Sequence, residues 1–157
     1  MRLDVLARKT GSALKRRGRR LVTAESCTGG WVAQAVTSIA GSSDWFERGY
    51  VTYSNAAKRD DLGVPEKTLR AHGAVSEPAA RAMARGALRN SRADLALAIT
   101  GIAGPGGGAP GKPVGTVCFA WARGRKIRSE TKRFKGGRGR VRRQSVIHAL
   151  LGVLKWL

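Results

Sequence analysis

Residues 93–100 read ADLALAIT, almost continuously apolar after Asp94. A short run of this kind, without polar residues at alternate positions, predicts a strand covered on both faces. Such a strand needs layers above and below it, and the periodic segments around it supply them. Residues 3–17 predict an amphipathic helix with Leu3, Leu6 and Leu14 on one side and Gly18 as its stop. LVTA at 21–24 predicts a short buried strand, and Gly29 to about Ser38 a helix with Trp31, Ala35 and Val36 apolar. ERGYVTYSN at 47–55 is β-branched and aromatic, hence a strand. Short helices follow over 56–62 and 65–71, and Ser76 caps a helix over 77–90 that tolerates Pro78 in its first turn. Strands at 114–122 and 126–134 flank a hairpin turn at 123–125. A last helix over 139–156 buries Val141, Ile147, Leu150, Leu151 and Leu154. Helices alternating with buried strands, plus one hairpin, predict an α/β fold: a three-layer α/β/α sandwich around a mixed β-sheet, a single domain over 1–157.

Composition narrows the function. No run of 18 uncharged apolar residues exists, so no membrane association is expected. The first residues lack the continuous apolar stretch and cleavage site of a secretory signal. Cys27 and Cys118 are the only cysteines, which predicts reduced thiols and a cytoplasmic setting. With only His72 and His148 besides, no metal site is expected. The charge is the unusual quantity. Thirty Lys and Arg against ten Asp and Glu give +20, which points towards nucleic acid or other anionic ligands. Residues 123–143 alone hold eleven Arg and Lys against Glu130. The excess lies towards the two ends, and the middle of the chain is nearly balanced.

Three motifs carry candidate chemistry. In VTAESCTGG, at 22–30, a strand runs through Ser26 and two glycines into a helix. That geometry either caps the helix or exposes a hydroxyl nucleophile beside helix N-terminal amides. The capping-box spacing fails and the GxSxG elbow is absent. Cys27 is the alternative nucleophile, but it would want a His partner. In VTYSNAAK, at 51–58, Lys58 follows Tyr53, Ser54 and Asn55 past a strand end. It is either a solvated lysine or a general base for Ser26; the base would need its pKa lowered from roughly 10.4 to about 7–8. In TGIAGPGGGAPGKPVGT, at 100–116, glycines follow a buried strand. They form either an anion cradle or a flexible connection, and the segment matches neither GxxxxGK[ST] nor GxGxxG.

Taken in order, TAESCTGG, ERGYVTYSNAAK, HGAVSE, ADLALAITGIAGPGGG, KPVGTV and a closing F-x-G-x-R-x-x-V-R closely resemble the CinA C-terminal domain family of nicotinamide-nucleotide amidohydrolases. The resemblance spans nearly the whole chain. It implies hydrolysis of the carboxamide of nicotinamide mononucleotide to nicotinate mononucleotide and ammonia, in pyridine-nucleotide recycling and without a cofactor. It implies Ser26 as nucleophile, Lys58 as base and Tyr53 as an orienting hydroxyl. Amides around Thr28, Gly29 and Gly30 would hold the oxyanion, with Asn55 nearby. Thr100, Gly101, Gly104, Gly106 and Gly107 would line the nucleotide site, and Arg142 would face the phosphate. Larger members carry a further N-terminal domain, so the expectation here is the stand-alone form, assembled as a homo-oligomer.

Two departures stand out. Where relatives commonly read F-x-G-D-R, this chain has Phe134-Lys135-Gly136-Gly137-Arg138, which leaves Arg138 without an acidic neighbour. The C-terminal region is also more basic than the family needs. A nucleic-acid-binding protein on the same scaffold is the rival reading. Its weakness is that the nine aromatic residues are not interleaved with the basic ones, so no specific nucleic-acid partner is expected.

Overall fold

The sheet is built around the two runs with the least polar character. In the computed structural model, which describes all 157 residues, β1 (Leu21–Glu25) and β3 (Leu95–Gly101) pair in parallel at the centre. The strands β2 (Phe46–Val51), β4 (Thr116–Arg123) and β5 (Lys126–Arg133) complete a sheet of order β2-β1-β3-β4-β5. β2 is parallel to β1, whereas β4 and β5 are antiparallel to their neighbours, so the sheet is mixed. Six α-helices accompany it: α1 (Leu3–Arg16), α2 (Trp31–Thr37), α3 (Asn55–Leu62), α4 (Glu66–His72), α5 (Glu77–Arg89) and α6 (Arg138–Trp156).

The alternation inside the central strands sorts the layers. Leu95, Leu97 and Ile99, with Phe119 and Trp121 of β4, pack into one core with residues of α1, α2 and α6. Ala96 and Ala98, with Ala120 and Ala122, face the other core, where α5 contributes Ala79, Ala80, Met83, Ala84 and Ala87. Large side chains on one face and small ones on the other let α5 lie close to the sheet. The three-layer α/β/α arrangement anticipated from the sequence is the one found.

Local differences have identifiable causes. β2 ends at Val51 rather than 55. Ser54 turns out to be an N-cap, its Oγ accepting the amide of Ala57, so the chain leaves the sheet early to start α3. Ser76 caps α5 in the same way, through Ala79. The expected stripe on α6 is only partly right. Val141 and Leu150 are buried, but Leu151 is 39% exposed and Ile147 and Leu154 are half-buried. The buried face runs instead through Val146, Ala149, Gly152 and Val153. Trp121 accounts for the shift: its indole N–H donates to the Ala149 carbonyl at 3.0 Å. A Cβ at Gly152 would stand 2.1 Å from that ring. The large ring on the sheet demands small residues on the helix.

The β1 strand has β2 on one side and β3 on the other, and all three run parallel. In open α/β sheets the crevice at the carboxyl ends of such strands is where ligands bind. The helix α3, which rises beside that crevice, is held against α5 at Gly86, where an added Cβ would lie 1.9 Å from the Leu62 carbonyl oxygen. Gly86→Ala is therefore expected to force α3 and α5 apart and to destabilise the protein by about 1–3 kcal/mol, the usual range for overpacking. Equilibrium urea denaturation measures this; an unchanged midpoint would contradict the close packing.

Candidate active site

Ser26 directly follows β1, and its amide donates to the Ile99 carbonyl at 3.0 Å. It thus emerges at the carboxyl edge of the sheet beside the end of β3. Gly29 and Gly30 then adopt φ of 60° and 99°, left-handed values that a side chain would strain, and turn the chain into α2. The cap of α2 is not Ser26. The carboxylate of Glu25, fully buried, accepts Thr28 Oγ1 at 2.7 Å and the amides of Val32 and Ala33 at 2.8 and 3.1 Å. A carboxylate at the amide end of a helix satisfies donors that would otherwise be orphaned. Glu25 carries this function unannounced in the sequence reading; the signal for it was a lone acid closing an apolar strand just before a helix. With the helix end already satisfied, the Ser26 hydroxyl has no capping duty.

That hydroxyl meets Lys58. The lysine sits on α3 with 1% exposure, and its Nζ lies 3.0 Å from Ser26 Oγ, donating also to the Thr52 and Tyr53 carbonyls at 3.0 and 3.1 Å. Burial lowers its pKa from the ordinary lysine value, because desolvation penalises the ammonium, while the neighbouring Cys27 opposes weakly. A neutral amine has two N–H donors and one lone pair. In that form two N–H groups would serve the two carbonyls and the lone pair would face Ser26 Oγ, whose hydroxyl also lies 3.4 Å from the Tyr53 carbonyl. Lys58 is therefore not a solvated lysine. The Cys27 thiol is pushed up to about 12, chiefly by burial, so it stays protonated and inert at neutral pH.

A cavity of about 280 Å³ opens above the pair. Of the residues anticipated for the site, Asn55, Thr100, Gly101, Gly104, Gly106 and Gly107 line it, together with Ser26, Lys58 and Tyr53. The Thr100 hydroxyl is engaged, donating to the Ala74 carbonyl at 2.8 Å, which draws the loop before α5 over the cavity. Tyr53 contributes differently from expectation. Its carbonyl, not its hydroxyl, touches Lys58; the ring is 63% exposed, and its hydroxyl accepts Arg138 Nη2 at 3.4 Å.

Thr28, Gly29 and Gly30 do not line the cavity. Arg142, expected to face the phosphate, is not among the residues lining the cavity either. Its guanidinium is bound to the carbonyls of Cys27 and Thr28 behind the loop. Arg138, whose partner the sequence left unspecified, reaches the cavity instead and donates to the Gly104 carbonyl at 2.8 Å. Apart from Lys58 it is the only cation there, so most of the +20 charge lies away from the site. No helix is long and apolar enough to cross a membrane.

Comparison with known proteins agrees with this architecture. The model of the CinA C-terminal domain family matches residues 3–157. The nicotinamide-nucleotide amidohydrolase PncC of Escherichia coli K12 is 58% identical over 147 residues, covering 92% of this chain and 88% of that protein. The protein of the same name from Pseudomonas putida is 52% identical over 153 residues, covering 98% and 96%. The crystal structure of the competence/damage inducible protein CihA from Agrobacterium tumefaciens superposes with a TM-score of 0.94 at 47% identity, over 98% of this chain and 94% of that one. A family match across nearly every residue, joined to relatives of this identity and coverage, places the chain in the CinA C-terminal domain family.

Proposed function

We propose that this chain hydrolyses the carboxamide of nicotinamide mononucleotide, releasing nicotinate mononucleotide and ammonia, with Ser26 as nucleophile and Lys58 as its base. The observation that carries the reading is the buried 3.0 Å contact between Ser26 Oγ and the Lys58 amine, whose other two partners are carbonyls. Relatives named for nicotinamide-nucleotide amide hydrolysis supply the substrate. Lys58 takes the hydroxyl proton as Oγ attacks the carboxamide carbon. Negative charge develops on the carboxamide oxygen, where the Cys27 and Thr28 amides, which have no acceptor within the chain, are the donors at hand; the Gly29 amide is already taken by the Ser26 carbonyl. The Lys58 ammonium returns the proton to the departing nitrogen, ammonia leaves and a Ser26 ester remains. Lys58 then deprotonates a water that attacks the ester, and breakage of the acyl–Oγ bond regenerates the hydroxyl. Arg138 and the glycine segment 104–107 serve the phosphate.

Three outcomes test this. Ser26→Ala is expected to cut turnover by several orders of magnitude, leaving only what binding and oxyanion donors supply, whereas Cys27→Ala keeps most activity. Ammonia release measures both, and the reverse pattern would sink the assignment.

Lys58→Met loses activity and Lys58→Arg does not restore it, because a guanidinium stays protonated. The wild-type rate rises with pH as the amine loses its proton, with a midpoint below the ordinary 10.5. The same shift has a stability sign. Between the depressed pKa and 10.5 the unfolded chain binds a proton that the folded one does not, so unfolding free energy rises with pH in that window. Urea midpoints recorded against pH for wild type and Lys58→Met isolate the rise; coincident pH dependences would contradict a depressed Lys58.

Finally, if Arg138 holds the phosphate, nicotinamide riboside is a much poorer substrate than the mononucleotide, since remote binding energy orients the amide. Arg138→Ala should raise KM for the mononucleotide and narrow that gap. Unaltered discrimination in the variant would remove Arg138 from phosphate recognition.

A further inference from the structure

Arg138 and Arg142 stand one turn apart at the start of α6 and project from the same side of it, yet they do different things. Arg138 enters the cavity. Arg142 remains behind the Ser26 loop, its Nε donating to the Cys27 carbonyl at 3.0 Å and its Nη2 to the Thr28 carbonyl at 3.2 Å. Its guanidinium also lies over the Trp31 ring, 5.4 Å from the centroid. The fork is thereby fixed against the first residue of α2 as well as the loop.

Holding two successive carbonyls means holding two successive peptide planes. The peptides here are trans, and in a trans unit the C=O and N–H point in opposite directions. Pinning the Cys27 oxygen on Arg142 turns the Thr28 N–H away from Arg142; pinning the Thr28 oxygen does the same for the Gly29 N–H. The second consequence is directly observed, because the Gly29 amide donates to the Ser26 carbonyl at 3.0 Å. The side opposite Arg142 is therefore the side of the Ser26 carbonyl. The Thr28 amide is turned to that side too, and it has no acceptor within the chain.

We propose that Arg142 is the positioning residue of the Thr28 amide as an oxyanion donor beside Ser26, acting through the Cys27 and Thr28 carbonyls and not on the substrate's phosphate. This rests on the reading of Ser26 as nucleophile. Two arginines at adjacent turns of one helix would then divide the work: Arg138 for the distal anion, Arg142 for the charge that appears only during reaction. A lysine cannot replace Arg142 in this role, since a single ammonium is a point donor without the planar fork that spans two carbonyls.

The test is a comparison of kcat and KM, for nicotinamide mononucleotide and for nicotinamide riboside, among Arg142→Lys, Arg142→Met, Arg138→Ala and Ser26→Ala, with folding of each followed by circular dichroism. Deleting an oxyanion donor outright costs about 10²–10³ in kcat. Loosening its support is expected to cost about 10- to 100-fold on the same scale. Both Arg142 variants should show that loss in kcat with KM for the mononucleotide held and with the preference for mononucleotide over riboside unchanged. Arg138→Ala should instead move KM and the preference. If Arg142→Met unfolds, Arg142→Lys, which keeps the charge and most of the length, carries the test. Wild-type kcat in a folded Arg142 variant, or a shift of KM and preference like that of Arg138→Ala, overturns the proposal. So does full activity of Arg142→Lys, which would make charge alone the requirement. If Ser26→Ala stays active, the nucleophile reading itself fails and takes this proposal with it. An inactive Ser26→Ala beside unimpaired Arg142 variants removes the proposal alone.

Discussion

The amine of Lys58 is the group on which the site depends. It is 1% exposed and has exchanged water for three oxygens, those of Ser26, Thr52 and Tyr53. An ammonium left unpaired in such a place would cost several kcal/mol or more, so the surroundings must supply either partners or a reason to lose the proton. They do both. The chain leaves the sheet after Val51 so that two consecutive carbonyls turn towards α3, and Ser54 starts the helix that brings Lys58 back over them. α3 is in turn seated on α5 at Gly86. Backbone path, helix cap and interhelical contact all converge on one nitrogen atom.

The Ser26 side of the site is organised by the same logic applied to a turn. Glu25 binds the amides of Val32 and Ala33 from within the sheet, and Arg142 binds the carbonyls of Cys27 and Thr28 from α6. One charged group takes donors and the other takes acceptors, so the loop between them is fixed from two directions. The charges belong to elements in different parts of the chain, β1 and α6, which makes the geometry of the turn a property of the whole fold. A loop held in this way needs no reorganisation when charge develops beside it, which is the condition for electrostatic catalysis to be effective.

Much of this was legible in the sequence where local rules decide. The apolar run at 93–100 identified the central strand, and Ser76 declared the start of α5. The resemblance of the motifs brought Ser26 and Lys58 forward as a pair, and the structure brings their side chains together. What escaped was set by tertiary contact. Leu151 looked like core, but Trp121 lies against Ala149 and Gly152, and Leu151 is left exposed while Leu154 is only half-buried. Arg138 and Arg142 share a residue type and a helix face, so only the position of α6 against the Ser26 loop shows which one faces the cavity. Glu25 was visible as a residue but not as a cap, because its partners lie seven and eight positions ahead.

The placement of the remaining charge has a structural reason that needs no nucleic acid. β5 is an edge strand in the order β2-β1-β3-β4-β5, and an uncovered edge is a template for pairing with another chain. Lys126, Arg128, Lys132 and Arg133 all fall on that strand. Cationic side chains along an edge oppose strand addition by a second copy, which would set like charges against one another. Arg128 also covers apolar surface, its guanidinium 4.5 Å from the centre of the Trp156 ring at the end of α6. The opposite edge, β2, carries Glu47 and Arg48, which pair with each other. The basic hairpin and the crevice at Ser26 thus answer different physical demands. One sets positive charge along an open sheet edge, and the other keeps a single lysine buried beside a serine.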